Sequence, residues 1–254
     1  GLEPELTATL NVLDIGSGSG NTTLPLLRIL PRMNLLATDL SLPMLVQLRE
    51  VLTRFGLRDR CSILQANAEE LDFEPASFDL AVGGAILHHM FRPEKTLAAI
   101  CRVLKPGSHA IFFEPFSEGN EIILLLCRRI LETGGKNGLS AEIQTHLEGF
   151  VHGVEQVLGT DKSDDRFKTI DDKWVFPLGY FKKIALESGF SNCLIYPLYS
   201  TVNQFENQMK TVICLYGNIS HHAVPGWIWT VVRDYDASLS EKQKEDLIIE
   251  GGVI

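Results

Sequence analysis

Residues 12–21 read Val12-Leu13-Asp14-Ile15-Gly16-Ser17-Gly18-Ser19-Gly20-Asn21, a mostly apolar run that passes straight into a loop with glycine at every second position. Glycine removes the Cβ that would keep a ligand away from the backbone, and a helix starting just beyond offers free N–H groups and the positive end of its dipole. A nucleotide-like or carboxylate-bearing ligand fits such a loop. Two familiar loops do not. A dinucleotide fingerprint needs G-x-G-x-x-G, yet the third glycine falls on Asn21 when counted from Gly16 and on Thr23 when counted from Gly18. No Gly-Lys-Ser or Gly-Lys-Thr follows, which removes the P-loop.

Outward from this loop, strand-like runs at 11–15, 35–38, 62–65, 79–82 and 109–114 alternate with helical segments. That alternation predicts an α/β protein, a parallel sheet with helices on both faces. The best-marked helix has Ser41 as N-cap, Pro43 in its first turn, a stripe of Leu45, Leu48, Leu52 and Phe55, and Gly56 as its stop. Another spans 93–104 with Leu97, Ile100, Cys101 and Leu104 on one face, ahead of the turn Lys105-Pro106-Gly107. After Glu114 the rhythm breaks, and 115–177 is expected to be an inserted helical cap or lid within a single domain of residues 1–254. Beyond it the pattern predicts a helix over 180–188, strands over 192–199 and 211–216 that pair antiparallel, a helix from Pro225, and a last helix opened by the capping box Ser240 to Gln243.

The motif D-x-G-x-G-x-G resembles that of the class I S-adenosylmethionine-dependent methyltransferases, in particular the small-molecule, type 11-like group. Further positions match in order: Asp39, 25 residues past Asp14, where a carboxylate can accept from both ribose hydroxyls; Asn67-Ala68, where the family usually shows Asp-Ala; Phe78 to His89, similar to F-D-x-V-x-x-x-x-x-L-H-H; and Leu104-Lys105-Pro106-Gly107. At Asn67 the amide oxygen can accept from an adenine amino group. The resemblance implies a Rossmann-like, doubly wound, mostly parallel seven-stranded sheet with an antiparallel last strand. It also implies a cofactor surface of Asp14, Gly16, Ser17, Gly18, Gly20, Asp39, Leu40, Asn67, Ala68 and Gly83, holding S-adenosylmethionine and releasing S-adenosylhomocysteine.

Methyl transfer from a sulfonium is an in-line displacement, so alignment is the main requirement, and a hydroxyl acceptor also needs a proton acceptor. His88 and His89, at the carboxyl end of the fourth strand, and Glu114, at the tip of the fifth, are the catalytic candidates; Glu114 either meets a substrate polar group or orients a histidine. His146 and His152 read as surface residues, and Trp174, Phe176 and Tyr180 as a core cluster that can line a substrate pocket. The family's Asn-Pro-Pro-Tyr type motif of amide and base methylation is missing, with Gly83-Gly84-Ala85-Ile86 in its place, and the Asp of metal-dependent relatives is replaced by glycine, so no metal is expected. Oxygen is the preferred acceptor, with carbon or nitrogen on a quinone-, polyketide- or amine-type metabolite as alternatives.

Composition agrees with a small-molecule enzyme. Of 254 residues, 23 are Lys or Arg and 32 Asp or Glu, a formal charge of −9 that repels nucleic acid. The longest apolar run, 122–127, is far short of a membrane span. Five scattered cysteines read as reduced thiols, and the start shows no secretory signal; both predict a cytoplasmic location. An excised domain, serving as a non-catalytic cofactor-binding module of a larger protein, is the competing reading, and a nicotinamide oxidoreductase the competing enzyme.

Overall fold

The computed structural model describes residues 9–254, so the reading of the first residues lies outside the described part. The first half folds as β1 (Leu10–Ile15), α1 (Thr23–Ile29), β2 (Met33–Asp39), α2 (Leu42–Arg54), β3 (Cys61–Gln65), β4 (Phe78–Gly84), α3 (Pro93–Val103) and β5 (Leu104–Pro115). Ser41 takes the N-cap position of α2 without a capping hydrogen bond from its side chain, its N–H donating to Asp39 instead, and Gly56 closes the helix as read with φ +66°. The expected turn at Lys105-Pro106-Gly107 is a bulge inside β5. Phe78 pairs with Leu104 and Leu80 with His109, so the chain loops out between them.

The second half holds α4 (Ser117–Gly134), α5 (Ala141–Val157), α6 (Leu178–Glu187), β6 (Ile195–Pro197), α7 (Gln204–Lys210), α8 (Gly226–Ser238), α9 (Glu241–Asp246) and β7 (Glu250–Val253). The seven strands lie in the order β3-β2-β1-β4-β5-β7-β6, with β1 to β5 parallel and β7 antiparallel to both neighbours. This is the doubly wound, Rossmann-like sheet. The capping box at Ser240 and Gln243 is present in full.

Two strand readings are corrected. Residues 211–216 form a π-helical continuation of α7, not a strand. Their β-branched run Thr-Val-Ile suggests a strand, but Phe205, Met209, Val212 and Ile213 recur at helical spacing and are all buried. The true last strand, β7, reads Glu-Gly-Gly-Val and carries little strand propensity. Its glycines answer to packing: a Cβ at Gly251 would stand 2.7 Å from the Phe116 ring, and one at Gly252 2.7 Å from the Tyr196 ring. The expected strand over 192–199 shrinks to β6.

Apolar residues gather on both faces of the sheet and in a third, helical body. Val12, Leu35 and Ala37 meet Leu45, Leu48 and Leu52 of α2 on one face, while Leu13, Ile15 and Phe112 meet Leu97, Ile100, Phe181 and Ile184 on the other. The helices of 115–177 join those that follow β6: Ile123, Leu126, Cys127 and Leu147 pack with Phe205, Met209, Val212 and Ile228. This helical layer stands at the carboxyl ends of the strands, reached directly from β5 through α4.

Candidate active site

Asp14 lies on β1, fully buried. Its Oδ2 accepts from the Thr23 hydroxyl at 2.5 Å, while Oδ1 is buried without a partner. Burial lifts its carboxyl from 3.8 to about 7; the Thr23 hydrogen bond works against this and the nearby charge of Asp39 adds to it. The loop that follows turns through left-handed backbone at Gly16, Gly18 and Gly20 (φ +63°, +52° and +107°), which a β-carbon would strain. Gly16 is also covered by Ile86, whose side chain occupies the place of a Cβ. The Ser17 hydroxyl is a second buried polar atom with no partner.

Asp39, at the end of β2, ties this loop to the next. Its Oδ2 accepts from the Gly18 N–H at 2.8 Å and its Oδ1 from the Ser41 N–H at 2.7 Å. A carboxylate has about four lone-pair sites, so acceptor capacity remains for hydroxyl donors. Leu40 next to it is 68% exposed, an apolar face at the same rim. Asn67 uses its Oδ1 to cap a short 3₁₀ turn by accepting from the Glu69 N–H at 3.1 Å, with Ala68 buried behind it. Gly83 is packed so closely that a Cβ would stand 2.8 Å from both Ile86 and Phe112, and Gly84 abuts the Thr22 hydroxyl of the glycine loop.

The chain leaving β4 is organised by Glu114. Its buried carboxylate accepts from the backbone N–H of Ile86, Leu87 and His88 at 3.1, 2.8 and 3.2 Å, and contacts His88 Nδ1 at 2.7 Å. Of the two roles expected for Glu114, the geometry supports orienting a histidine; its oxygens are spent within the protein. His88 Nε2 faces Asp172 Oδ1 at 3.5 Å, and His89 Nδ1 lies 3.3 Å from that oxygen and 3.5 Å from Asp171 Oδ1. Burial pulls the His88 imidazole down, but hydrogen bonding to Asp172 and Glu114, with their charges, outweighs it and lifts the pKa from 6.5 to about 9. Both ring nitrogens of His88 thus face carboxylates, Nδ1 that of Glu114 and Nε2 that of Asp172.

A cavity of about 540 Å³ opens beside His88, walled by Asp171, Asp172, Trp174, Tyr216 and Glu250. It shares Gln208, Tyr216 and Glu250 with a second cavity of about 550 Å³. Burial raises the Glu250 carboxyl above its ordinary range, against a hydrogen bond from Tyr199. The aromatic cluster forms as read, with Trp174 stacked on Phe176 and Tyr180 at 5.4 and 5.2 Å, and the Trp174 ring N–H donates to the Met90 carbonyl at 2.8 Å. His146, expected at the surface, is half-buried with its Nε2 2.7 Å from the Val212 carbonyl, whereas His152 is exposed as read. Sequence reasoning missed Asp171, Asp172 and Glu250. The first two sit in a polar stretch that looks like solvated loop, and the third in a strand without strand propensity.

Residues 13–112 match the family model described as a methyltransferase domain. A malonyl-[acyl-carrier protein] O-methyltransferase of Brevibacillus brevis is 36% identical over 104 residues, covering 40% of this chain and 37% of that protein. A ubiquinone/menaquinone biosynthesis C-methyltransferase of Francisella tularensis subsp. novicida is 33% identical over 105 residues, 41% of this chain and 42% of that protein. The chain thus spans about two fifths of the length of these curated relatives. Among solved structures, a phosphoethanolamine N-methyltransferase of Haemonchus contortus in complex with S-adenosyl-L-methionine has a TM-score of 0.54 at 16% identity, over 97% of this chain and 47% of that one. Residues 13–112 thus resemble a methyltransferase domain, and the sheet that holds them has the strand order of a doubly wound, Rossmann-like fold.

Proposed function

We propose that this protein transfers a methyl group from S-adenosylmethionine to a small-molecule acceptor, with a hydroxyl oxygen as the acceptor atom, and releases S-adenosylhomocysteine. The observation that carries this reading is the placement, at one edge of the sheet, of a glycine loop with unsatisfied buried acceptors and a walled cavity that begins at His88. The residues present suit the cofactor. Asp14 Oδ1 and Ser17 Oγ lack partners that an ammonium and other polar groups of the cofactor would supply. Asp39 keeps acceptor capacity for ribose hydroxyls, Leu40 gives an apolar face for the adenine, and Gly18, with nothing within 4 Å of its Cβ position, keeps the loop backbone approachable, while Gly16, Gly20 and Gly83 let Ile86, Leu48 and Phe112 pack against the backbone. Asn67 and Ala68 complete the adenine end.

When bound, the cofactor supplies an electrophilic methyl carbon on a sulfonium that departs as a neutral thioether. The chain's contribution is alignment, an effect on the order of 7–11 kcal/mol in well-oriented systems. Glu114 is a positioning residue that holds 86–88 in place. His88 and His89 border the acceptor side. Glu250 is the carboxylate best placed to take the hydroxyl proton, since it lines both cavities. A second reading, an amine nitrogen as acceptor, is favoured by the carboxylates Asp171, Asp172 and Glu250 set beside Trp174 and Tyr216, a wall that attracts cations. We take the helices of 115–177 as the acceptor-side wall of a single domain, and a cytoplasmic metabolite rather than nucleic acid as the partner, in keeping with the −9 charge.

Calorimetric titration tests the reading. The protein should bind S-adenosylmethionine and S-adenosylhomocysteine and ignore reduced nicotinamide cofactors. Asp39→Ala should weaken the affinity by about 1–3 kcal/mol, the scale of hydrogen bonds to a charged group. Unchanged affinity would remove Asp39 from the site, and binding of nicotinamide compounds alone would overturn the methyltransferase reading. Turnover with a metabolite panel then separates an enzyme from a binding module.

A further inference from the structure

We propose that His88, His89 and Asp172 bind a divalent metal ion of borderline character, such as zinc or cobalt(II), on the wall of the acceptor cavity. The ligand atoms of these three residues all lie within 4.8 Å of one another. Asp172 Oδ1 is 3.5 Å from His88 Nε2 and 3.3 Å from His89 Nδ1. Donors bound tetrahedrally at about 2.0–2.1 Å stand about 3.3–3.4 Å apart, so the two separations to Asp172 match a shared ion, and the two imidazole nitrogens lie within 4.8 Å of each other. Two imidazole nitrogens and one carboxylate oxygen favour zinc-like ions over magnesium, which prefers oxygen alone.

An independent observation points the same way. Metal-bound histidines usually donate their other ring N–H to a carboxylate, which fixes the tautomer and aims the remaining nitrogen. Glu114 occupies that place: its side chain is 0% exposed and sits 2.7 Å from His88 Nδ1, leaving Nε2 to face Asp172. The same carboxylate holds the backbone N–H of Ile86, Leu87 and His88, so the imidazole is carried on a fixed turn. Residues 171–174 are held against the pair from the other side, since the N–H groups of Lys173 and Trp174 both donate to the His88 carbonyl at 2.8 and 3.2 Å. Three protein ligands leave a fourth position, the pattern of catalytic rather than structural zinc. His88, Asp171 and Asp172 line the cavity, so that position faces the acceptor, whose oxygen the ion would bind. This role rests on the methyl-transfer reading; the binding of the ion does not.

The test uses the untagged chain, stripped with a chelator, dialysed, and titrated with zinc by calorimetry and with cobalt(II) by visible absorption. One equivalent of zinc should bind with micromolar affinity or better, and cobalt should show the intense visible bands of a four-coordinate ion. His89→Ala and Asp172→Asn, both at partly exposed positions, should each weaken zinc at least about tenfold, and Glu114→Gln about 10–100-fold. The adjacent pair His221 and His222 serves as control, and its double alanine variant should bind zinc unchanged. No binding at roughly 100 μM zinc, or undiminished binding by a His89→Ala/Asp172→Asn double variant, would overturn the proposal. Because zinc is read without cofactor or acceptor, a protein that binds S-adenosylmethionine but no zinc loses this inference alone. One that binds zinc but no S-adenosylmethionine loses the methyl-transfer reading alone.

Discussion

Asp14→Asn should make the ligand-free protein more stable at pH 8 and, at the same time, a much poorer binder of S-adenosylmethionine. The Asp14 carboxyl is lifted from 3.8 to about 7 chiefly by burial. Between those values the native state holds a proton that the unfolded chain has released, so stability falls as pH rises from about 4 to about 7 and stays reduced above it. An asparagine has no charge to desolvate, and the gain over wild type should grow across the same window to about 1–3 kcal/mol at pH 8. Thermal melts of both proteins from pH 4 to 8 measure this directly. Binding should move the other way. The unpartnered Oδ1 can meet a cationic amino group only as a carboxylate, so wild-type affinity should rise about tenfold per pH unit below 7 and level off above it. The asparagine variant should bind at least about tenfold more weakly at pH 8, without that slope. A flat pH profile in the wild type, or equal affinities, would take Asp14 out of cofactor binding.

Glu114→Ala should lower stability by about 3–5 kcal/mol, an effect visible as a large fall in the denaturant midpoint. Three backbone N–H groups and His88 Nδ1 converge on this one buried carboxylate. Deleting it strands buried donors at about 1–3 kcal/mol each, eased only where water enters. Ala85 just before them has φ +58°, an unfavourable conformation for a residue with a β-carbon that the carboxylate helps to hold. Glu114→Gln keeps one acceptor oxygen and should retain roughly half of the loss. Were the alanine variant as stable as wild type, the turn after β4 would owe its shape to other contacts, and Glu114 would be open to a direct role in catalysis.

Legibility in the sequence followed the range of the physics behind each feature. The glycine loop, the acid at the end of β2 and α2 with its start and stop are local: backbone conformation, caps and helical periodicity act over a few residues and leave a mark on the residues concerned. Asp14, Gly16, Gly18, Gly20 and Asp39 could therefore be placed at the loop and the adjoining strand end before any coordinates. Residues 211–216 were misread because a β-branched run looks like a strand when its partners are not in view; Phe205 and Met209, a turn or two earlier, show that the buried positions follow a helix. Gly251 and Gly252 gave no strand signal since their reason is a ring from Phe116 and another from Tyr196, residues remote in the chain.

The alternation of apolar segments was enough to settle the sheet class and the position of the glycine loop, because burial of one face per element is written into each element's own periodicity. The chemistry on the acceptor side was not written there. Asp171 and Asp172 meet the histidine pair from some eighty residues away, and Glu250 reaches the cavity from the far end of the chain. A charge in a polar loop has the same appearance in sequence whether it ends in solvent or beside an imidazole. Tertiary contacts bring them together: the N–H groups of Lys173 and Trp174 hold 171–174 to the His88 carbonyl, and pairing of β7 with β5 brings Glu250 to the strand ends.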